Sequence, residues 1–247
     1  MYYFIFDYPT TKRLAELAKN IEDAVVDSGI AGEIIELNPT KNLDNLLIDA
    51  SQKGYQTLVV VGGAKLVNKT AAKLLRYDMV FGVIPLGDIP TLFEKIKCES
   101  WQDAVAALKR RRWEFTPLGH VNNTSIFLTK AKLDLEQPTA IEISVKGFDL
   151  TTIAQEAVVT TTLNKKGESL VTLNCLGPIK KGGFLSNFFG AKKNNTQAQL
   201  SKFSYPVIEI DSEQPISVDV DHLTIARTPA SFSVIPKALK LIVGKKG

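Results

Sequence analysis

The chain has 247 residues, 45% hydrophobic and 23% charged, with 16 Gly, 11 Pro and two Cys, which excludes collagen, coiled coil and wholesale disorder. A balance of 30 Lys and Arg against 26 Asp and Glu gives a net charge of +4, too mild for a nucleic-acid binder, so no nucleic-acid partner is expected. Cys98 and Cys175 belong to no Cys-x-x-Cys or Cys/His cluster, so neither a disulfide scaffold nor a structural zinc site is expected, and a reducing cytoplasm is the expected compartment.

The opening run Met1-Tyr2-Tyr3-Phe4-Ile5-Phe6-Asp7 has no basic leader and stops at Asp7. It reads as a first strand, not as a signal peptide. Leu14, Leu17, Ala18, Ile21 and Val25 then recur at i, i+3, i+4 spacing and predict a helix. Next come a strand over Glu33–Leu37, a helix carrying Leu43, Leu46, Leu47 and Ala50, a strand over Thr57–Val61, a helix from Val67 to Arg76 and a strand over Phe81–Pro85. Ser100, with Asp103 three residues on, predicts the N-cap of a helix that buries Trp101, Ala104, Val105 and Leu108. Strands alternating with helices predict parallel βαβ units. No uncharged apolar stretch approaches the roughly 20 residues that span a bilayer, so integral membrane insertion is not expected.

Beyond Arg112 the helical signal gives way to alternating or β-branched runs: Ile126–Thr129, Ala140–Val145, Ala157–Leu163, Ser169–Asn174, Pro206–Ile210, Ile216–Val220, Ser231–Ile235 and Leu239–Val243. Turn signals at Lys146-Gly147, Lys166-Gly167 and Gly182-Gly183 separate several of them. The fold expected is therefore an α/β domain over residues 1–120, followed by a shortened antiparallel, sandwich-like β domain over residues 121–247. The C-terminal stretch from Val243 to Gly247 is expected to fray.

Three segments carry chemistry. The strand Thr57–Val61 runs into Gly62-Gly63 before a helix, a turn that can bring backbone N–H groups to a phosphate or can simply be tight. The strand ending in Pro85-Leu86-Gly87 would lie beside it at the carboxyl edge of the sheet. The third segment is Val218-Asp219-Val220-Asp221-His222-Leu223 through Pro229-Ala230.

In this order the segments resemble the diacylglycerol kinase catalytic-domain family, bacterial lipid kinases related to sphingosine kinase and, more remotely, to NAD kinase. The family's Asn-Pro-x-Ser-Gly turn is similar to Tyr8-Pro9-Thr10-Thr11-Lys12, and its Gly-Gly-Asp-Gly-Thr-x-Asn-Glu loop to Gly62-Gly63-Ala64-Lys65-Leu66-Val67-Asn68-Lys69. Pro85-Leu86-Gly87-Asp88-Ile89-Pro90-Thr91 resembles the Pro-Leu-Gly-Thr-Gly-Asn-Asp loop, and Pro117-Leu118-Gly119-His120-Val121-Asn122 the Asp-Leu-Gly-x-Val-Asn crossing. Asp221, His222 and Leu223 fall on its Asp-Gly-Glu.

The resemblance implies ATP and Mg²⁺ as cofactors and a lipid hydroxyl as phosphoryl acceptor. It places Gly62, Gly63, Lys65 and Asn68 at the phosphates, Pro85 and Gly87 in the adjacent loop, and Asp221 as the base. The departures are chemical. Ala64-Lys65-Leu66 replaces the Asp-Gly-Thr, so a carboxylate, a glycine and a hydroxyl are lost, although Lys65 can offer a phosphate its cation. Pro90 removes an N–H from the second loop, and Leu223 removes an acid beside Asp221. No Mg²⁺ ligand set is apparent, and the family's glycine-rich Asn-x-Ala-Gly-x-Gly-Phe-Asp segment is missing after Leu128. Two readings stay open: a lipid kinase, and a pseudokinase that persists as a binding or regulatory module at a membrane surface or with a protein partner.

Lys180–Lys193 sets Phe184, Leu185, Phe188 and Phe189 between lysine pairs, the pattern of a segment that lies on an anionic membrane or of aromatics packed onto the β domain. Peripheral membrane contact is thus expected beside a cytoplasmic location. Lys109-Arg110-Arg111-Arg112-Trp113 reads as the solvated end of a helix or as a contact for acidic lipid or nucleic acid, and His120 and His222 as structural or exposed residues rather than catalytic or metal-bound ones.

Overall fold

A computed structural model describes residues 1–38, 41–177, 200–220 and 223–245. Strand β1 (Tyr2–Asp7) is buried from Tyr2 through Phe6, because helices cover both faces of a parallel sheet and leave an internal strand no polar side. It pairs in parallel with β2 (Gly32–Leu37) and β3 (Thr57–Gly62), and β3 pairs with β4 (Val80–Pro85), giving the order β2-β1-β3-β4. The crossovers move one way from β1 to β2 and the other way from β3 to β4, so right-handed connections put the intervening helices on opposite faces. Helix α1 (Lys12–Asp27) packs with α5 (Trp101–Arg110), and α2 (Leu43–Gln52) packs with α3 (Ala64–Leu74). A short α4 (Pro90–Ile96), unanticipated by periodicity, follows β4.

The chain divides into two units, residues 1–118 with 126–129 and 235–247, and residues 119–125 with 130–234. Residues 235–247, expected in the β domain, instead join the first unit. The end of β16 (Ala230–Ile242) accounts for this, since Lys240 and Leu241 lie parallel to Val80 and Phe81 of β4. The expected fraying is also corrected for the first tail residues. Val243 is buried and its N–H donates to the Arg112 carbonyl at 3.0 Å, while the Gly244 N–H donates to Ile96 at 2.8 Å.

The second unit is antiparallel. One sheet has the order β12 (Leu200–Tyr205), β11 (Ser169–Leu176), β10 (Glu156–Leu163), β7 (Lys130–Leu133), β14 (Ser217–Val220), β15 (Leu223–Arg227). In another, the start of β16 pairs with β13 (Val207–Asp211), which pairs with β8 (Thr139–Val145) and through it β9 (Phe148–Ala154). β5 (Trp113–Val121) pairs with β16 and with β6 (Ser125–Phe127). Alternation decides the faces: Ile141 and Ile143 of β8, Val159 of β10, Val171 and Leu173 of β11 and Ile208 and Ile210 of β13 are all fully buried.

Cys98 and Cys175 are free and buried, and burial pushes both thiols from 9.0 up to about 11. At pH 8 each thiolate is then about 100-fold scarcer than in the unfolded chain. Both thiols are expected to react with Ellman's reagent at least about 100-fold more slowly in the native protein than in denaturant.

Candidate functional site

In an open α/β sheet the crevice for a ligand lies beyond the carboxyl ends of the strands, where the connections change direction. In this sheet that point falls between β1 and β3. β1 ends there on Asp7 and β3 on Gly62, and the pairing of Phe6 with Val61 sets the two ends side by side. The Asp7 Cβ lies 3.4 Å from where a Cβ on Gly62 would stand. β4 ends alongside, with Pro85 paired to Gly62 and the Leu86 N–H donating to the Gly62 carbonyl at 3.0 Å. Gly87, at φ +105°, then turns the chain in a conformation that suits glycine alone.

Helix α3 starts at Ala64, ahead of the Val67 expected from apolar spacing, and so carries the exposed Lys65 in its first turn. Its N-cap, Gly63, has no side chain to accept a bond, and the first return is from the Val67 N–H to the Gly63 carbonyl at 3.1 Å. The N–H groups of Ala64, Lys65 and Leu66 are the orphan donors that every helix start leaves. A Cβ on Gly63 would meet nothing within 4 Å, so the way to these donors is open. α1 also begins without a side-chain cap and with no acid in its first turn. By contrast, Asn42 caps α2 and Ser100 caps α5, while α4, entered through Ile89 and Pro90 after β4, is uncapped and acid-free as well. Two uncapped, acid-free helix starts therefore flank the switch point, an arrangement that favours an anion.

The sequence-predicted residues divide at this edge. Gly62, Gly63, Lys65, Pro85 and Gly87 come together along it. Asn68 turns inward: it is buried, and its Oδ1 accepts the Leu128 N–H at 2.6 Å. Asp221, His222 and the segment Lys180–Lys193 lie outside the described residues.

Asp7 was legible only as the end of a strand, although a carboxylate closing an otherwise apolar run is the signal that marks it. Its carboxylate makes no hydrogen bond or ion pair among the described residues, and burial pushes it above the ordinary 3.8. Ionised Asp7 therefore costs stability at neutral pH, a penalty absent below pH 3.8 that develops as pH rises through the folded-state value. Asp7→Asn is expected to raise the melting temperature at pH 7, with the gain disappearing in acid; equal melting at both pH values would contradict this.

A magnesium ion does not fit the loop. Ala64 and Leu66 offer no ligating side-chain atom, and the described residues hold no group of three or more His, Cys, Asp or Glu placed to bind a metal. No described helix is long and apolar enough to cross a membrane.

A family model described as the diacylglycerol kinase catalytic domain matches residues 3–121. Among solved structures, the chain is similar to a diacylglycerol kinase from Bacillus anthracis str. Sterne, with a TM-score of 0.71 and 13% identity over 98% of this chain and 96% of that one. It is also similar to a second structure from that organism, whose kinase description is provisional, with a TM-score of 0.73 and 12% identity over 99% and 98% of the two chains. Both likenesses speak for the fold. No curated protein matches the sequence.

Proposed function

We propose, from the premise that residues 3–121 belong to the diacylglycerol kinase catalytic-domain family, that this lipid kinase-like protein takes the phosphates of ATP onto the first turn of α3. The observation that carries the reading is the uncapped helix start behind Gly63 at the switch point. Its three N–H donors and the positive end of the helix dipole suit a phosphate, and Lys65 adds a cation. The activity the family implies is phosphoryl transfer to a lipid hydroxyl, with Asp221 accepting the hydroxyl proton.

The Ala64-Lys65-Leu66 sequence favours a second reading, a pseudokinase that binds nucleotide and transfers nothing. Transfer depends on charge neutralisation by a held metal, and this loop has no side chain to hold one. Incubation with labelled ATP, Mg²⁺ and vesicles containing dioleoylglycerol separates the two. Phosphatidate that forms with the native protein and not with Asp221→Asn establishes the kinase. ATP binding without phosphatidate establishes the pseudokinase, and absence of ATP binding overturns both.

A further inference from the structure

We infer that the amino end of the same parallel sheet holds a second anion site, sized for a small organic phosphomonoester or carboxylate. A cavity of about 260 Å³ opens there, lined by Gln56, Thr57, Val80, Arg111, Trp113 and Ile242. Ligand pockets usually run from about 300 to 1,000 Å³, so this one suits a ligand smaller than a nucleotide. It lies at the starts of β3 and β4, at the opposite end of those strands from Gly62 and Pro85, and owes nothing to the ATP reading.

Every lining side chain with a polar group can donate, and none is a carboxylate. Arg111 has no carboxylate partner among the described residues, and its guanidinium lies 5.1 Å from the Tyr2 ring centroid. Its backbone is fixed by a left-handed φ of 54° and by N–H bonds to the Ala107 and Leu108 carbonyls at the end of α5. A cation at a helix C-terminus can serve the dipole alone. Thr57 is what that account leaves unexplained: it is only 1% exposed, and its hydroxyl makes no hydrogen bond among the described residues. No buried side-chain polar atom among the described residues lacks a partner, so this unpaired hydroxyl keeps contact with solvent, and Thr57 lines the same cavity as Arg111.

The remaining walls fix the rest of the ligand. Val80 and Ile242 are aliphatic, and the Trp113 indole offers an aromatic face. Lys240 Nζ sits 5.7 Å from the Trp113 ring centroid and is held by Asp78 at 2.6 Å. An oxyanion bound between Arg111 and the Thr57 hydroxyl would set a short alkyl part against Val80, Ile242 and Trp113. Two charge-assisted or hydroxyl hydrogen bonds supply the recognition, and the apolar walls limit its size.

The site carries its own reporter, because Trp101 and Trp113 are the only tryptophans. In a Trp101→Phe protein, Trp113 emission would be titrated at constant ionic strength with ethyl phosphate, with butyrate, and with butanol as the uncharged control. The expected result is a saturable change with at least one anion and none with butanol; which anion acts identifies the chemistry. Arg111→Asn, whose side chain tolerates the left-handed backbone, is expected to weaken the response at least about tenfold. Thr57→Val, nearly the same shape, is expected to weaken it severalfold, and it carries the test if the Arg111 variant fails to fold. No saturable change with either anion up to about 10 mM overturns the inference, as does a response unaltered in folded variants. ATP binding at α3 is expected to persist in both variants, so this site and the proposed nucleotide site fail independently.

Discussion

Phe4→Ala is expected to cost about 3–5 kcal/mol of folding stability, the largest loss from any single truncation considered for this chain. Phe4 is fully buried at the middle of β1, with its ring 5.8 Å from that of Tyr2 and 6.3 Å from that of Phe6. The site cannot collapse to fill the gap. β1 is paired on both sides, with Phe4 in register with Ile34 of β2 and Val59 of β3, so the backbone is held while the side chain is removed. Equilibrium denaturation in urea measures the difference. A loss below about 1 kcal/mol would mean that this layer is loosely packed or rearranges, contrary to interior density.

Asn68→Leu is expected to cost about 1–3 kcal/mol without any nucleotide present. The substitution keeps the number and branching of the side-chain heavy atoms but takes away the acceptor of the Leu128 N–H, which is buried along with Asn68 itself. An unpaired buried N–H bears the full desolvation penalty, and Leu128 belongs to the short 126–129 stretch that the first unit recruits from later in the chain. Thermal melting of the apo variant reads the effect. If Asn68 served a ligand alone, the apo protein would melt at the native temperature.

The parallel sheet was readable in the sequence because its strands are buried on both faces and so appear as unbroken apolar runs, as Tyr2–Phe6 and Thr57–Val61 show. The helix cap at Ser100 was equally legible: its Oγ accepts the Asp103 N–H at 3.2 Å, and Asp103 reaches back to the Glu99 N–H at 3.3 Å. The start of α3 was not, because Ala64 and Lys65 add nothing to an apolar stripe that begins at Leu66 and Val67. Backbone geometry, not side-chain pattern, places that turn. In the second unit, β9 and β12 went unread for a similar reason. Both lie at the ends of their sheets, and Asp149, Thr151 and Thr152 in one and Ser201, Lys202 and Ser204 in the other dilute the alternation that strands with two neighbours display. The single strand β16 was legible only as two runs, since Pro236-Lys237 interrupts its apolar pattern and Lys237 adopts a positive φ of 49°.

At the candidate site, the glycines and the proline of the two loops were found from spacing. The roles of Asn68 and Asp7 needed coordinates, because a buried acceptor 60 residues from its donor and a carboxylate beside a glycine on the next strand leave no local pattern.

Calorimetric titration of ATP into the native protein and into Gly63→Val tests most directly whether the first turn of α3 seats the ATP phosphates. Gly63 has φ −75° and ψ 169°, extended values open to valine, and a Cβ there meets nothing within 4 Å. The variant should therefore fold with native or slightly higher stability, while its methyl groups stand over the N–H donors of Ala64, Lys65 and Leu66. ATP binding by the native protein that falls at least about tenfold in a folded Gly63→Val is the predicted result. No binding heat with the native protein, or equal affinity in the two, would contradict the account.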